Sequence, residues 1–191
     1  LVVSALVCVW ATRLGTYLAR RVHAVGKDAR FDHIKTDPYN FFMAWTLQGL
    51  WVVLTLLPVM IILTTKTAPD DLSIFDYIGW SIWLLGFAVE VVADGQKARF
   101  RAQNAVAGKW IDTGLWSYSQ HPNYFGEILL WLGLFISGFG VYQGVQWIAM
   151  ISPIFVYILL TRMSGIPMLQ ARGDAKWGEI SAYREYRAQT N

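Results

Sequence analysis

The sequence predicts an all-α, polytopic membrane helix bundle, and three observations carry that prediction. Hydrophobic residues make up 55% of the chain and charged residues only 15%, whereas soluble domains carry roughly 45–50% and about 25%. Apolar runs of membrane-spanning length recur, and mean hydropathy is +0.37. Lys and Arg alternate between dense and sparse in successive connections, as the positive-inside bias requires of a multi-pass chain. The net charge of +3 and pI near 9.0 then belong to loops flanking membrane spans, with membrane lipids and not nucleic acid as the partner.

Five spans are expected, at about 2–22, 41–64, 74–96, 122–140 and 144–163, in one membrane domain over 1–191. The apolar start at Leu1 lacks a signal-peptide pattern and reads as the continuation of earlier spans. In the first span Trp10, Arg13, Tyr17 and Arg20 recur at helical spacing and line one face. Arg13 has two readings, a snorkelling interfacial cation or a cation that meets an anion in a cavity. The second span starts at Asp37-Pro38, a helix-start signal. Its polar Gln48 reads as a helix–helix contact.

The third span opens as IGWSIWLLGFAVEVV and continues into the polar ADGQKARFRAQN. Glu90, Asp94, Lys97 and Arg101 lie within roughly 60° of one another on a helical wheel. A polar stripe from membrane depth to the surface reads as one wall of a ligand cleft. Lys97 and Arg101 alone would also suit a solvated face.

The stretch GLWSYSQHPNYFGE, residues 114–127, leads into the fourth span. Pro122 suits a first helical turn because its missing N–H would have had no helical partner. Asn123 and Glu127 then share a face one turn apart. The following ILLWLGLFISGFGVY carries no charge, so Glu127 at its mouth needs a partner or a polar ligand. The fifth span, GVQWIAMISPIFVYILLT, contains Pro153. Beyond Arg162 the tail over 164–191 is mixed, and KWGEISAYREYRAQTN reads as a short interfacial or cytoplasmic helix.

Loop charge orients the bundle. Five cations follow the first span (Arg20, Arg21, Lys27, Arg30, Lys35) and one follows the second (Lys66). Four follow the third (Lys97, Arg99, Arg101, Lys109), none the fourth, and five lie in the tail (Arg162, Arg172, Lys176, Arg184, Arg187). This places loops 23–38 and 97–121 and the tail on the cytoplasmic side, where soluble phosphorylated cofactors are. The single Cys8 excludes an internal disulfide. His23, His33 and His121 lack ligand spacing, so no metal site is expected.

One cytoplasm-facing cluster can therefore gather Asp94, Lys97, Arg101, Tyr118, His121, Asn123 and Glu127, with Arg13, Tyr17 and Arg20 adjacent. Cations among carboxylates and amides suit an anionic, hydrogen-bonding ligand such as a nucleotide. No GxGxxG or P-loop occurs, so a Rossmann or Walker site is not supported. The apolar half of the cleft would take a lipid-like small molecule.

At GLWSYSQHPNYFGEILLWLG the chain resembles the steroid 5-alpha-reductase-like membrane family, including its bacterial uncharacterised branch. RLGTYLARRVHAVGKDARFD (13–32), FFMAWTLQGLWVVLTLLPV (41–59) and SGIPML (164–169) extend the resemblance over nearly the whole chain. The HPNYFGE core is shared more loosely with sterol reductases and isoprenylcysteine methyltransferases. The resemblance implies NADPH-dependent reduction of a carbon–carbon double bond conjugated to a ketone. It also implies that Asp94, Arg101, Tyr118, Asn123 and Glu127 line the NADPH site, with Glu90 at a neighbouring position; Lys97 and His121 join the cofactor-binding set from the cluster read off the residues above. Arg13 and Tyr17 match helix-1 positions near cofactor and substrate, and are the candidate catalytic residues.

Two departures bear on the reaction. Glu90 stands where the steroid reductases have an Asn, and Trp10 where they have a proton-donating Tyr. An indole N–H donates a hydrogen bond but is no general acid. The Glu that partners that Tyr is expected in a segment upstream of Leu1. Two other readings stay open: a non-catalytic membrane subunit or lipid-binding scaffold that retains the fold, and an S-adenosylmethionine-dependent membrane methyltransferase. Other membrane subunits also stay open as partners.

Overall fold

The structure, a computed structural model, describes residues 1–25, 36–65, 71–103 and 108–190. All regular structure among the described residues is helical, with no strand among them. Lys27, Arg30, Lys35 and Lys66 of the charge pattern lie outside the described residues.

Three long helices come first: α1 (Val2–Val25), α2 (Pro38–Thr64) and α3 (Ile74–Gln103). Asp37 caps α2 as expected, its carboxylate accepting from the Tyr39 and Asn40 amides, which have no partner inside the helix. The 30 residues of α3 run about 45 Å, longer than the roughly 30 Å hydrocarbon layer. Its charged Lys97–Arg101 end is the part least suited to that layer.

The helix expected over 122–140 is α4 (Pro122–Ser137), 16 residues long and about 24 Å at 1.5 Å per residue. It is the best-enclosed helix of the bundle, with Leu130, Trp131 and Leu134 almost without solvent contact. The stretch expected as one span over 144–163 has three parts: a 3₁₀ segment at Gly144–Met150, α5 (Ile151–Ile158) and a π-helical turn at Leu159–Met163. Pro153 sits in the first turn of α5, where its missing N–H costs nothing. Four stretches are long and apolar enough to cross a membrane: Val2–Arg20, Pro38–Thr64, Ile74–Gln103 and Gly144–Trp177.

The core is shared by five helices, with Val3 of α1, Val59 of α2, Trp83 of α3, Trp131 of α4 and Val156 of α5 in one cluster. Trp10 meets Trp131 edge-on at 5.0 Å between ring centroids. Antiparallel α3 and α4 touch through their backbones at paired glycines. A Cβ on Gly79 would lie 2.5 Å from the Gly133 carbonyl, and one on Gly86 would lie 2.6 Å from the Gly126 carbonyl. Small residues allow this approach, which in lipid supplies van der Waals contact where no hydrophobic drive exists. It also sets Glu90, one turn beyond Gly86, against the first turns of α4.

The tail folds as two helices, α6 (Ile166–Trp177) and α7 (Ser181–Gln189). Both pack back on the segment between α3 and α4. Trp110 meets Tyr183 and Trp177 edge-on at 5.0 and 6.1 Å.

Candidate functional site: a basic cleft at one end of the bundle

The 3₁₀ turn Gly114–Ser117 docks on the polar end of α3. The Trp116 indole donates to the Ala93 carbonyl at 3.1 Å and is buried, while the Leu115 amide donates to Gln96 Oε1 at 3.0 Å. Gly114 has φ +66°, and a Cβ there would meet the Gln96 side chain at 2.6 Å, so this position requires glycine. Across the gap, Gln120 donates to the Arg187 and Thr190 carbonyls, and Tyr186 donates to the Trp116 carbonyl. The tail is thereby held as a second wall.

Between these walls lies a cleft of about 330 Å³. Five cations line it: Lys97 and Arg101 from α3, Lys109 from the connection, and Arg172 and Lys176 from α6. No carboxylate is among its lining residues, and the aromatic lining includes Trp110, Trp116, Trp177, Tyr183 and Tyr186. The Lys97 ammonium stands 4.2 Å over the Trp116 ring, a cation–π contact that fixes it at the cleft floor. Arg187 on α7 pairs with Asp174 on α6, which raises its pKa through that hydrogen bond.

His121 forms the inner wall. Both ring nitrogens are buried without a hydrogen-bond partner, and the ring stacks on Tyr124 at 5.6 Å. Burial, then the nearby Lys97 and Arg187 charges, lower its pKa to about 4. The imidazole is therefore neutral at pH 7 and can donate at one nitrogen and accept at the other. Burial raises the Tyr186 phenol to about 12, so it stays a hydroxyl donor.

Deeper in the bundle is a second polar group. Arg13 Nη1 donates to Glu90 Oε1 at 2.5 Å, and Nη2 donates to Asp94 Oδ2 at 2.6 Å. The carboxylates are 5% and 7% exposed and the guanidinium 18%. Glu127 on α4 lies within the electrostatic reach of Glu90, Asp94 and Arg13. Glu90 Oε2 and the Trp10 indole nitrogen are both buried, and the Trp10 side chain interacts with Glu90.

The structure divides the residues that the sequence grouped together. Lys97, Arg101 and His121 line the cleft. Glu90, Asp94 and Glu127 gather instead about Arg13, because the α3 stripe turns inward where α4 presses against it. Arg13 stands over the Tyr17 ring at 5.6 Å, and neither residue lines the cleft. Tyr118 points outward, 80% exposed. Asn123 is half-buried on α4 and also outside the lining. Missed from the sequence were Lys109, Trp110, Gln120 and the α6–α7 residues. The alternation of rings and cations in KWGEISAYREYR was the available signal. Among the described residues no His, Cys, Asp and Glu group has metal-site geometry.

Fold and site together define a multi-pass helical membrane protein with a basic, aromatic cleft at one end. The chain belongs to the family described as "Protein of unknown function (DUF1295)", whose family model matches residues 1–190. No curated protein and no solved structure matched the chain.

Proposed function

We propose that this protein is a membrane-embedded, NADPH-dependent reductase of a conjugated carbon–carbon double bond in a steroid- or lipid-like substrate. The observation that supports it is the cleft with five cations and no carboxylate. NADPH carries a pyrophosphate and a third phosphate on a two-ring scaffold. Arg101 and Arg172 offer forks for bidentate phosphate contacts, and the lysines offer point charges. Trp110, Trp177 and the tail tyrosines offer faces for its rings. The residues present therefore fit the group, and the positive-rich end, read as cytoplasmic, is where it is soluble. When bound, NADPH supplies a hydride. The chain's own part is to orient the dinucleotide on α3 and α6, with neutral His121 at its inner edge. The Arg13–Glu90–Asp94 group, with Glu127, braces the helices that form the membrane-side wall.

The same cleft disfavours S-adenosylmethionine. Its sulfonium and ammonium charges outweigh its carboxylate, so it would meet five cations with no compensating anion. A non-catalytic, ligand-binding scaffold is the second reading. One observation favours it: Arg13 and Glu90 are committed to each other, and Trp10 supplies no general acid.

Titration of the purified protein in nanodiscs with NADPH and with S-adenosylmethionine decides among these. NADPH should bind with an affinity that falls as salt rises. Arg101→Ala and Arg172→Ala should each weaken it about ten- to a hundredfold, the loss expected for a charged hydrogen bond. Binding of neither ligand would leave the scaffold reading.

A further inference from the structure

A second pocket, of about 260 Å³, lies on the other side of His121, between α4, α5 and the start of α6. It shares Gln120, His121 and Gln170 with the basic cleft, so the two cavities meet at those side chains. Away from that junction its walls are Phe125 and Ile128 of α4 and Tyr157 of α5. Phe125 and Tyr157 are more than half exposed, on helices that carry apolar surface toward lipid. The pocket is therefore apolar where it opens and polar where it ends.

Two independent features mark its closed end. The first is His121, whose ring nitrogens are both buried and unpartnered. An unpaired buried polar atom is costly, and a ligand that pairs with it recovers that loss. The second is the π-helical turn Leu159–Met163, which places Thr161 on the pocket wall. Such turns are rare and concentrate at functional sites. The Thr161 hydroxyl donates to the Tyr157 carbonyl at 2.7 Å, which leaves its oxygen free to accept.

Size limits the occupant. Whole small-molecule sites span roughly 300–1,000 Å³, so this pocket encloses one end of a molecule whose remainder lies along the lipid-facing side. The enclosed end must carry an uncharged polar group, because the neutral imidazole offers one donor and one acceptor and no charge, and on an otherwise apolar molecule a single oxygen is the simplest such group.

We propose that this pocket binds the oxygen-bearing end of a long apolar molecule, a ketone, aldehyde or alcohol, with His121 hydrogen-bonded to that oxygen at the junction with the basic cleft. The proposal rests on the reductase reading for its consequence, that the pocket is the substrate site. Its occupancy is a separate matter and is tested separately. On this assignment His121 is a ligand-binding residue shared by both cavities, and substrate approaches along α4 and α5, not beside Arg13 and Tyr17 of α1.

The probe is a long-chain methyl ketone carrying an alkyl diazirine, photolysed with the full chain in nanodiscs and mapped by peptide mass spectrometry. Labels should fall on Phe125, Ile128, Tyr157 and Thr161, displaced by excess unlabelled ketone and not by the matching alkane. His121→Ala should lower the ketone affinity about three- to tenfold, the loss expected for one neutral hydrogen bond, and His121→Gln should restore part of it. Thr161→Trp, which fills the pocket while leaving residue 121 itself unchanged, should abolish labelling there. Equal displacement by ketone and alkane, or labels spread over the α1 and α2 faces, would overturn the proposal without any variant. NADPH is titrated in parallel on the unmodified chain. Ketone labelling without NADPH binding would sink the reductase reading and keep the pocket. NADPH binding without ketone-specific labelling would sink the pocket alone.

Discussion

Arg13 Nη1 and Glu90 Oε1 lie 2.5 Å apart across 77 residues of chain, joining α1 to α3 within the bundle. The same guanidinium reaches Asp94 one turn further on, so one cation pairs with two enclosed carboxylates. Both protein partners lie among helices read as membrane-spanning, where an unpaired charge is expensive.

Arg13→Ala would leave two buried carboxylates facing each other and Glu127. Breaking a buried pair from one side costs about 3–5 kcal/mol, so the variant should melt well below the parent in detergent. Arg13→Lys should recover part of the loss, since an ammonium can meet one carboxylate but not span both as a planar fork. A melting midpoint for Arg13→Ala equal to the parent's would show that α1 is held by packing alone.

The glycine pairs make a sharper steric prediction. Gly86→Ala places a methyl 2.6 Å from the Gly126 carbonyl and 2.7 Å from the Leu130 nitrogen, backbone atoms that cannot turn aside. Separating α3 from α4 also loosens the Glu90 contacts, and overpacking of this kind costs about 1–3 kcal/mol or more. Gly15→Ala in α1 has nothing within 4 Å, and should gain up to about 1 kcal/mol from helix propensity. Opposite signs for the two substitutions in one melting assay are the expected result.

The bundle was legible from hydropathy and loop charge because lipid imposes length and composition on every span. The α3–α4 seam was present as well, in the seven-residue spacing of Gly79 and Gly86 and of Gly126 and Gly133, but glycine spacing alone does not say which two helices it joins. The site was only half legible. Helical spacing correctly joined Glu90 to Asp94 and Lys97 to Arg101. It could not show that the stripe divides, because the division depends on where α4 begins and the 3₁₀ turn docks. The tail's contribution depends on contacts such as Gln120 to Thr190, across 70 residues, which no local pattern encodes.

Gln120→Ala tests that long-range tether. It removes the donor to the Arg187 and Thr190 carbonyls and leaves Tyr186 and the aromatic cluster to hold α7. Limited proteolysis should then cut within 178–190 faster than in the parent, while the transmembrane fragment stays intact. Unchanged cleavage would mean that the Trp110, Trp177 and Tyr183 rings suffice.

His121 predicts a pH dependence of stability with a definite sign. Its ring titrates at about 4 when folded, against an ordinary value of 6.5, because burial and the Lys97 and Arg187 charges oppose protonation. Between those two values the unfolded chain binds a proton that the folded chain does not, so stability falls as pH drops from about 6.5 to about 4. Above that window the residue contributes no slope. Partial exposure limits the effect to on the order of 1–2 kcal/mol. Carboxylates titrate in the same range, so the informative quantity is the difference between the parent and His121→Asn. The parent should lose more stability across the window than the variant, measured as detergent melting midpoints at several pH values. Parallel curves would place His121 in contact with solvent and remove the physical basis for its role at the junction of the two cavities.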